Sequence, residues 1–208
     1  MPSAREALLN AALAALAGRP WSGVRMVDVA VAAGVSRQTL YNEFGSKEGL
    51  ARALVRREAD AYLRGVERIL TDRPQGPYRP ASDRPAPDRP LPERLASVAE
   101  WIVAEAADRP LLRALLTGSW SERLPAPRPA RPGAFASGVP AQRRADAGTP
   151  APAELVAATL AHADPRTAPS CELAVRLALS YIVAPGPQAV GQVVRAVLSG
   201  RSPTVGDR

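Results

Sequence analysis

An all-α fold in two parts is what this sequence predicts, and three observations predict it. Apolar residues recur at three- and four-residue spacing in one segment after another, and no segment alternates as a strand does. Over residues 28–47, DVAVAAGVSRQTLYNEFGSK, a short helix, a tight turn and a second short helix follow one another. Proline gathers in two stretches, 72–92 and 118–151, and helical spacing resumes after each. The predicted organisation is a helix-turn-helix head over 1–46 and a linking helix over 47–71. A proline-rich linker over 72–92 and a helical domain over 93–200, interrupted by a disordered loop at 118–151, complete it.

The first helix is Ala4–Gly18. Leu9, Leu13 and Leu16 follow helical spacing, Leu8, Ala12 and Ala15 lie beside them, and Gly18 ends it. Pro20-Trp21 opens the connection, with Trp21 expected on the core of the head. Met26–Ala33 is the second helix, with Val29 and Ala30 inward. Gly34 follows where a helix end needs a residue tolerant of positive φ, and Val35 turns back to the core. Ser36 is placed to cap a third helix, Arg37–Phe44, by accepting from the N–H of Gln38 or Thr39. That helix buries Leu40 and Phe44 and presents Arg37, Gln38, Thr39 and Asn42. A small residue (Ala30), glycine four later and a buried aliphatic (Leu40) six after that is the spacing of a helix-turn-helix.

Ser46-Lys47-Glu48 opens a long helix to about Leu70, whose buried side is assigned to Leu50, Leu54, Ala61, Leu63, Val66 and Leu70. Residues 72–92 hold seven prolines and three Asp-Arg-Pro repeats, a density that excludes helix and sheet ladders. Helices resume over Leu91–Asp108, with Leu95, Val98, Ala99, Ile102 and Ala106 in one stripe, and over Pro110–Thr117, where proline suits the first turn. The proline-rich stretch 118–151 carries scattered arginines, the signature of a solvated loop. Pro152–Ala163, Pro169–Ala184 and Pro187–Ser199 complete the helices, the last two joined at Pro185-Gly186-Pro187.

Composition bounds the chemistry. The chain has 208 residues, enough to bury a sizeable core, and a net charge of +7, which favours a polyanionic partner. Of the 27 basic residues only Lys47 is lysine, and with 22 prolines this points to codon bias behind part of the arginine excess. One cysteine, Cys171, excludes an intramolecular disulfide and a cysteine-cluster metal site; one histidine, His162, excludes a pair of histidine ligands. There is no phosphate loop, no paired carboxylates in a credible cleft and no nucleophile with a base, so neither an enzyme, a cofactor nor a metal is expected. The N-terminus lacks a basic region followed by an apolar run, and nowhere do 18 apolar residues run together. A soluble, cytoplasmic chain with no membrane partner is expected.

AAGVSRQTLYNEFGSKEGL closely resembles the signature of the TetR family of one-component transcriptional regulators. The match rests on Gly34-Val35-Ser36, on Tyr41-x-x-Phe44 and on Lys47-Glu48, and spans about Ala4–Leu70. The fuller run from Arg25 to Lys47 looks like a branch of that family associated with alkane-oxidation and lipid-metabolism genes. One departure stands out. Arg25 occupies the place where the family usually has Thr or Ser to cap the second helix, which forgoes about 1 kcal/mol and puts a cation where phosphates should lie.

The resemblance implies a DNA-binding regulator, and the candidates follow. Arg37, Gln38, Thr39 and Asn42 are of the types that read base edges; Tyr41 and Lys47, with Arg25 and Ser36, are of the types that hold phosphates. One helix-turn-helix reads too little DNA for specificity, so a homodimer on a palindromic double-stranded operator is expected. The family places dimerisation on the last two helices; Leu173, Leu177, Tyr181, Val190, Val194 and Val197 are the candidate interface, with the small Ala174, Ala178 and Gly191 allowing close approach. It also implies a ligand pocket in the second domain, for which Trp101, Leu112, Leu116, Trp120, Cys171 and Tyr181 are candidates. Few charges on these faces favour a hydrophobic effector. A ligand-responsive repressor is the resulting expectation. The alternatives are an activator of the same fold, or a scaffold protein that keeps the helix-turn-helix as a structural module.

Overall fold

The computed structural model describes residues 3–71, 89–126 and 149–200, and among them every regular element is helical. In chain order these are α1 (Ala4–Gly18), a 3-10 turn at Trp21–Gly23, α2 (Met26–Ala32), α3 (Arg37–Phe44), α4 (Lys47–Thr71), α5 (Leu91–Asp108), α6 (Pro110–Thr117), α7 (Pro152–Leu160), α8 (Ala168–Val183) and α9 (Val190–Leu198). The chain divides into two compact units. The first combines Met1–Asp60 with Pro110–Pro152, and the second Ala61–Arg109 with Ala153–Arg208. Helix α6 therefore falls in the first unit with α1–α3, and α4 contributes to both. Positions 72–88 of the proline-rich linker and 127–148 of the expected loop lie outside the described residues.

The first unit forms around a short three-helix arrangement in which α1 packs on α2 and α3, and α2 on α3. Ser3 caps α1, its Oγ accepting from the N–H of Glu6 at 3.2 Å. Leu8, Leu9 and Ala12 are the buried face of α1, while Leu13 and Leu16 stay half-exposed. Leu8, Val29, Leu40, Phe44, Leu50 and Leu54 are the large, fully buried side chains, and Leu112 and Leu115 of α6 are equally enclosed. Positions 50–55 of α4 are all buried, so this stretch is enclosed on every side, which a single apolar stripe does not express.

In the second unit α5 packs against both α8 and α9, and these against each other. Leu95, Ala96, Val98, Ala99, Ile102 and Ala106 form the buried face of α5; Cys171, Ala174, Val175, Ala178 and Ile182 form that of α8. From α4 the deeply buried side chains here are Tyr62 and Val66, whereas Ala61, Leu63 and Leu70 are only half-buried. Aliphatic spacing overlooks Tyr62, because a tyrosine reads as amphipathic until its hydroxyl finds a partner. That partner is Thr159 of α7. Tyr62 Oη and Thr159 Oγ1 lie 3.2 Å apart, and Thr159 Oγ1 lies 2.8 Å from the Leu155 carbonyl. Each hydroxyl has one proton, so both bonds form when Thr159 donates to Leu155 and Tyr62 donates to Thr159. Burial pushes the Tyr62 phenol up to about 12.

Candidate nucleic-acid interface

The turn between α2 and α3 is closed by backbone bonds. Val35 N–H donates to the Ala30 carbonyl and Gly34 N–H to the Val31 carbonyl, each at 3.1 Å. This six-to-one and five-to-two pair is a Schellman closure, and it needs Gly34 at φ +67°. Ser36 then starts α3 from extended backbone, its Oγ accepting from Thr39 N–H at 3.0 Å. Gly45, at φ +70°, ends α3 with its N–H on the Tyr41 carbonyl at 2.8 Å. The two glycines and the serine thus fix the length of α3 at eight residues.

Leu40 and Phe44 anchor α3 in the core, and the opposite face is open. On it Gln38 Nε2 donates to Asn42 Oδ1 at 2.8 Å, one helical turn on. The pair holds both amides toward solvent, and each keeps further donors and acceptors of the kind that pair with adenine. The Arg37 guanidinium lies 5.6 Å from the centre of the Tyr41 ring, which lays it along the helix. Thr39 is half-buried, its Oγ1 sharing a 2.8 Å bond with Ser36 Oγ. Ser36 and Thr39 are therefore joined in the cap, whereas Arg37, Gln38 and Asn42 are exposed.

Arg25 is the residue before α2, in extended backbone and with no side-chain cap, as the departure at that position requires. Its side chain is exposed. Lys47 sits at the other end of the motif. Its Nζ donates to the Ser22 carbonyl at 3.2 Å and lies 5.2 Å from the Trp21 ring centre, so it pins the 21–23 turn to the start of α4. Ser46 caps α4 by accepting from Gly49 N–H at 3.1 Å. The lysine thus has a structural contact that its sequence position does not reveal.

A further positioning residue, Arg5 of α1, escapes a sequence reading. Its Nη1 donates to the Glu43 carbonyl and to Glu43 Oε2, both at 3.3 Å, and its guanidinium lies 4.7 Å from the Phe44 ring centre. It grips the last turn of α3, where a cation meets the unsatisfied carbonyls. The partners are 38 residues apart, so no local pattern signals them. The other carboxylate of the motif, Asp28, is paired with Arg19 at 3.2 Å. Both carboxylates that α2 and α3 carry are thus engaged by arginines.

The pocket candidates are divided between the two units. Leu112, Leu116 and Trp120 belong to the first unit; Trp101, Cys171 and Tyr181 belong to the second. Leu112, Leu116 and Cys171 are buried, and Trp101 stacks on Tyr62 with ring centres 5.9 Å apart. Burial also raises the Cys171 thiol above its ordinary pKa. None of these six side chains lines the cavity between α1 and α2 or the one at the end of α4. Of the interface candidates, Val190 and Val194 are buried within the second unit, Leu177 and Tyr181 are half-buried, and Leu173 and Val197 are exposed at 38% and 44%. Val183, near the end of α8, is exposed at 69%. Ala174, Ala178 and Gly191 are buried inside the unit, and Gly191 admits the Glu100 side chain of α5. Among the described residues no group of three or more His, Cys, Asp or Glu is placed to hold a metal ion, and no helix is long and apolar enough to cross a membrane.

Comparison with known proteins sharpens the picture. The family model described as bacterial regulatory proteins, tetR family, matches residues 8–54, which cover the whole of α2, the turn and α3. The HTH-type transcriptional regulator AlkX of Mycobacterium tuberculosis is 39% identical over 114 residues. That alignment takes in 55% of this chain and 47% of the relative, so the chain spans about half the length of the curated relative it matches. Among solved structures, the TetR family repressor AlkX from Dietzia sp., implicated in biodegradation of n-alkanes, is 23% identical with a TM-score of 0.49, over 95% of this chain and 92% of that one.

Proposed function

The chain belongs to the tetR family of bacterial regulatory proteins, and on that premise we propose that it is a sequence-specific DNA-binding transcriptional regulator. It acts as a ligand-responsive repressor, a homodimer on a near-palindromic operator. The observation that carries this reading is the open face of α3. Arg37, Gln38 and Asn42 are exposed on a helix whose start, end and opposite side are all fixed by the protein. A rigid helix with amide and guanidinium groups turned outward is what base-edge recognition in the major groove requires. Arg25, Tyr41 and Lys47, with the first N–H groups of α4, are assigned to the flanking phosphates.

Dimerisation is assigned to the outer faces of α8 and α9. Leu173 and Val197 lie exposed there, with Leu177 and Tyr181 half-buried. Val190 and Val194 support that face from within. Leu173→Glu is expected to yield a monomer in sedimentation velocity, with native helix content. The effector is taken to be a hydrophobic small molecule, because the buried faces of α5, α8 and α9 carry no charge. To move occupancy from nearly full to nearly empty it must discriminate between two conformers by about 5 kcal/mol.

The decisive experiment is a gel shift with the DNA flanking the chain's own gene. A retarded band that weakens steeply with salt is expected. Folded, dimeric protein that fails to shift this DNA at low salt would instead support a scaffold that retains the helix-turn-helix as a module.

A further inference from the structure

We propose that the second unit carries a binding site for a small oxyanion, a carboxylate or phosphate group, in a cavity at the end of α4. The cavity, of about 360 Å³, is lined by Leu70, Leu91, Arg94, His162, Arg166 and Thr167, with Ala163 and Asp164 completing its wall. This volume suits a small ligand or the head of a longer one. Its polar lining is dominated by donors. Arg94, Arg166 and the chain's single histidine all contribute to the lining, supplied by α5 and by the turn between α7 and α8.

Acceptors of the wall are hydrogen-bonded within it, and the Asp164 carboxylate keeps its charge. Asp164 Oδ1 accepts from Arg166 N–H at 2.8 Å, and the Asp164 carbonyl accepts from Thr167 and Ala168 N–H at 2.8 and 2.9 Å. The Leu70 carbonyl, near the negative end of α4, accepts from Arg94 Nη1 at 3.2 Å. Arg94 therefore offsets the α4 dipole with one N–H and keeps four others, and its buried Nε has no acceptor among the described residues. Leu91 is the first residue of α5 and Thr167 the cap of α8, so two helix N-termini also border the cavity. Arginines paired with helix N-termini around a concave space favour an oxyanion over a neutral or cationic ligand.

The site is independent of the DNA face, and so is its test. His162 is the only histidine of the 208 residues, so its C2–H proton gives one resolved NMR signal in this chain. Octanoate, octyl phosphate and inorganic phosphate would be titrated, with octanol and sodium chloride at matched concentration as controls. A saturable shift with the oxyanions, and none with octanol or chloride, is expected. If octanoate or octyl phosphate binds more tightly than inorganic phosphate, the natural ligand is an amphiphile; equal affinities for the two phosphates identify a free phosphate group. Arg166→Ala should weaken binding by about tenfold or more while leaving the melting temperature unchanged. Arg94→Lys, which keeps a charge and a donor for Leu70, should weaken it through loss of the planar fork. A response to octanol equal to that of octanoate, no saturable response to any oxyanion, or native affinity in Arg166→Ala would each overturn the proposal.

Discussion

The six-membered ring of Trp101 occupies the space that a Cβ on Gly65 would need. Glycine in a helix interior ordinarily costs up to about 1 kcal/mol relative to alanine. Here it lets the α5 indole approach the α4 backbone and stack on Tyr62. Gly65→Ala should therefore destabilise the protein by about 1–3 kcal/mol, against the usual helix preference. In a Trp101→Ala background the same change should become stabilising. Urea unfolding of the four proteins measures this as a double-mutant cycle, and the absence of a sign change would refute the close-approach account.

The Arg5 grip on the last turn of α3 predicts an effect on DNA through positioning alone. Arg5→Ala removes the bonds to Glu43 and the contact with Phe44. A loss of about 1 kcal/mol in head stability is expected, the upper end for a partly exposed ion pair. Amide exchange at the end of α3 should accelerate, while that of α8 should not. DNA affinity should fall by a similar factor for every operator variant, since Arg5 reads no base.

Lys47 and Gln38 should separate the two kinds of contact. Lys47→Ala is expected to weaken all sites alike and to reduce the salt slope of binding by about 1. Because Lys47 also sits over Trp21, the same variant should alter tryptophan emission without DNA. Gln38→Ala should leave the salt slope intact and relax preference at one or two base pairs by about 1–3 kcal/mol each. Binding to a panel of single-base operator variants at several salt concentrations distinguishes them. A salt effect confined to Gln38 would reverse the assignment.

Tyr62 predicts alkaline sensitivity. In the folded chain burial raises its pKa to about 12, above the ordinary value near 10. The folded state thus holds the phenolic proton more tightly than the unfolded state does. The associated stability is fully present below pH 10 and is lost as pH rises from 10 through 12. Tyr62→Phe should cost about 1 kcal/mol at neutral pH through loss of the Thr159 bond. It should then lose less stability than the native chain on going from about pH 9 to about pH 11. Parallel stability profiles for the two proteins would contradict the buried, proton-holding role.

Much of this architecture is legible in residue patterns because its signals are local. Gly34, Ser36 and Gly45 each satisfy a backbone requirement at their own position, so the limits of α3 can be read directly. Apolar spacing likewise gives α1 and α5. What stays hidden depends on residues far apart in the chain. Arg5 meets Glu43, Tyr62 meets Thr159 and Trp101 meets Gly65 across 38, 97 and 36 positions, and no periodicity encodes such pairs. The apolar helices α8 and α9 show the same limit. Their composition announces burial but does not say which valines face inward, and Val194 and Val197 have the same composition and opposite exposure.

The sharing of α4 bears on how the molecule comes apart. Neither compact unit is a contiguous stretch of chain, because α6 belongs to the first although α5, which precedes it, belongs to the second. Cutting the chain after α4 would remove Leu112 and Leu115 from the core to which they belong. Melting one unit alone would leave a fragment of α4 shorter than an isolated helix sustains in water. The head therefore cannot be excised as an autonomous module by a single cut, and the two halves should unfold in one cooperative transition.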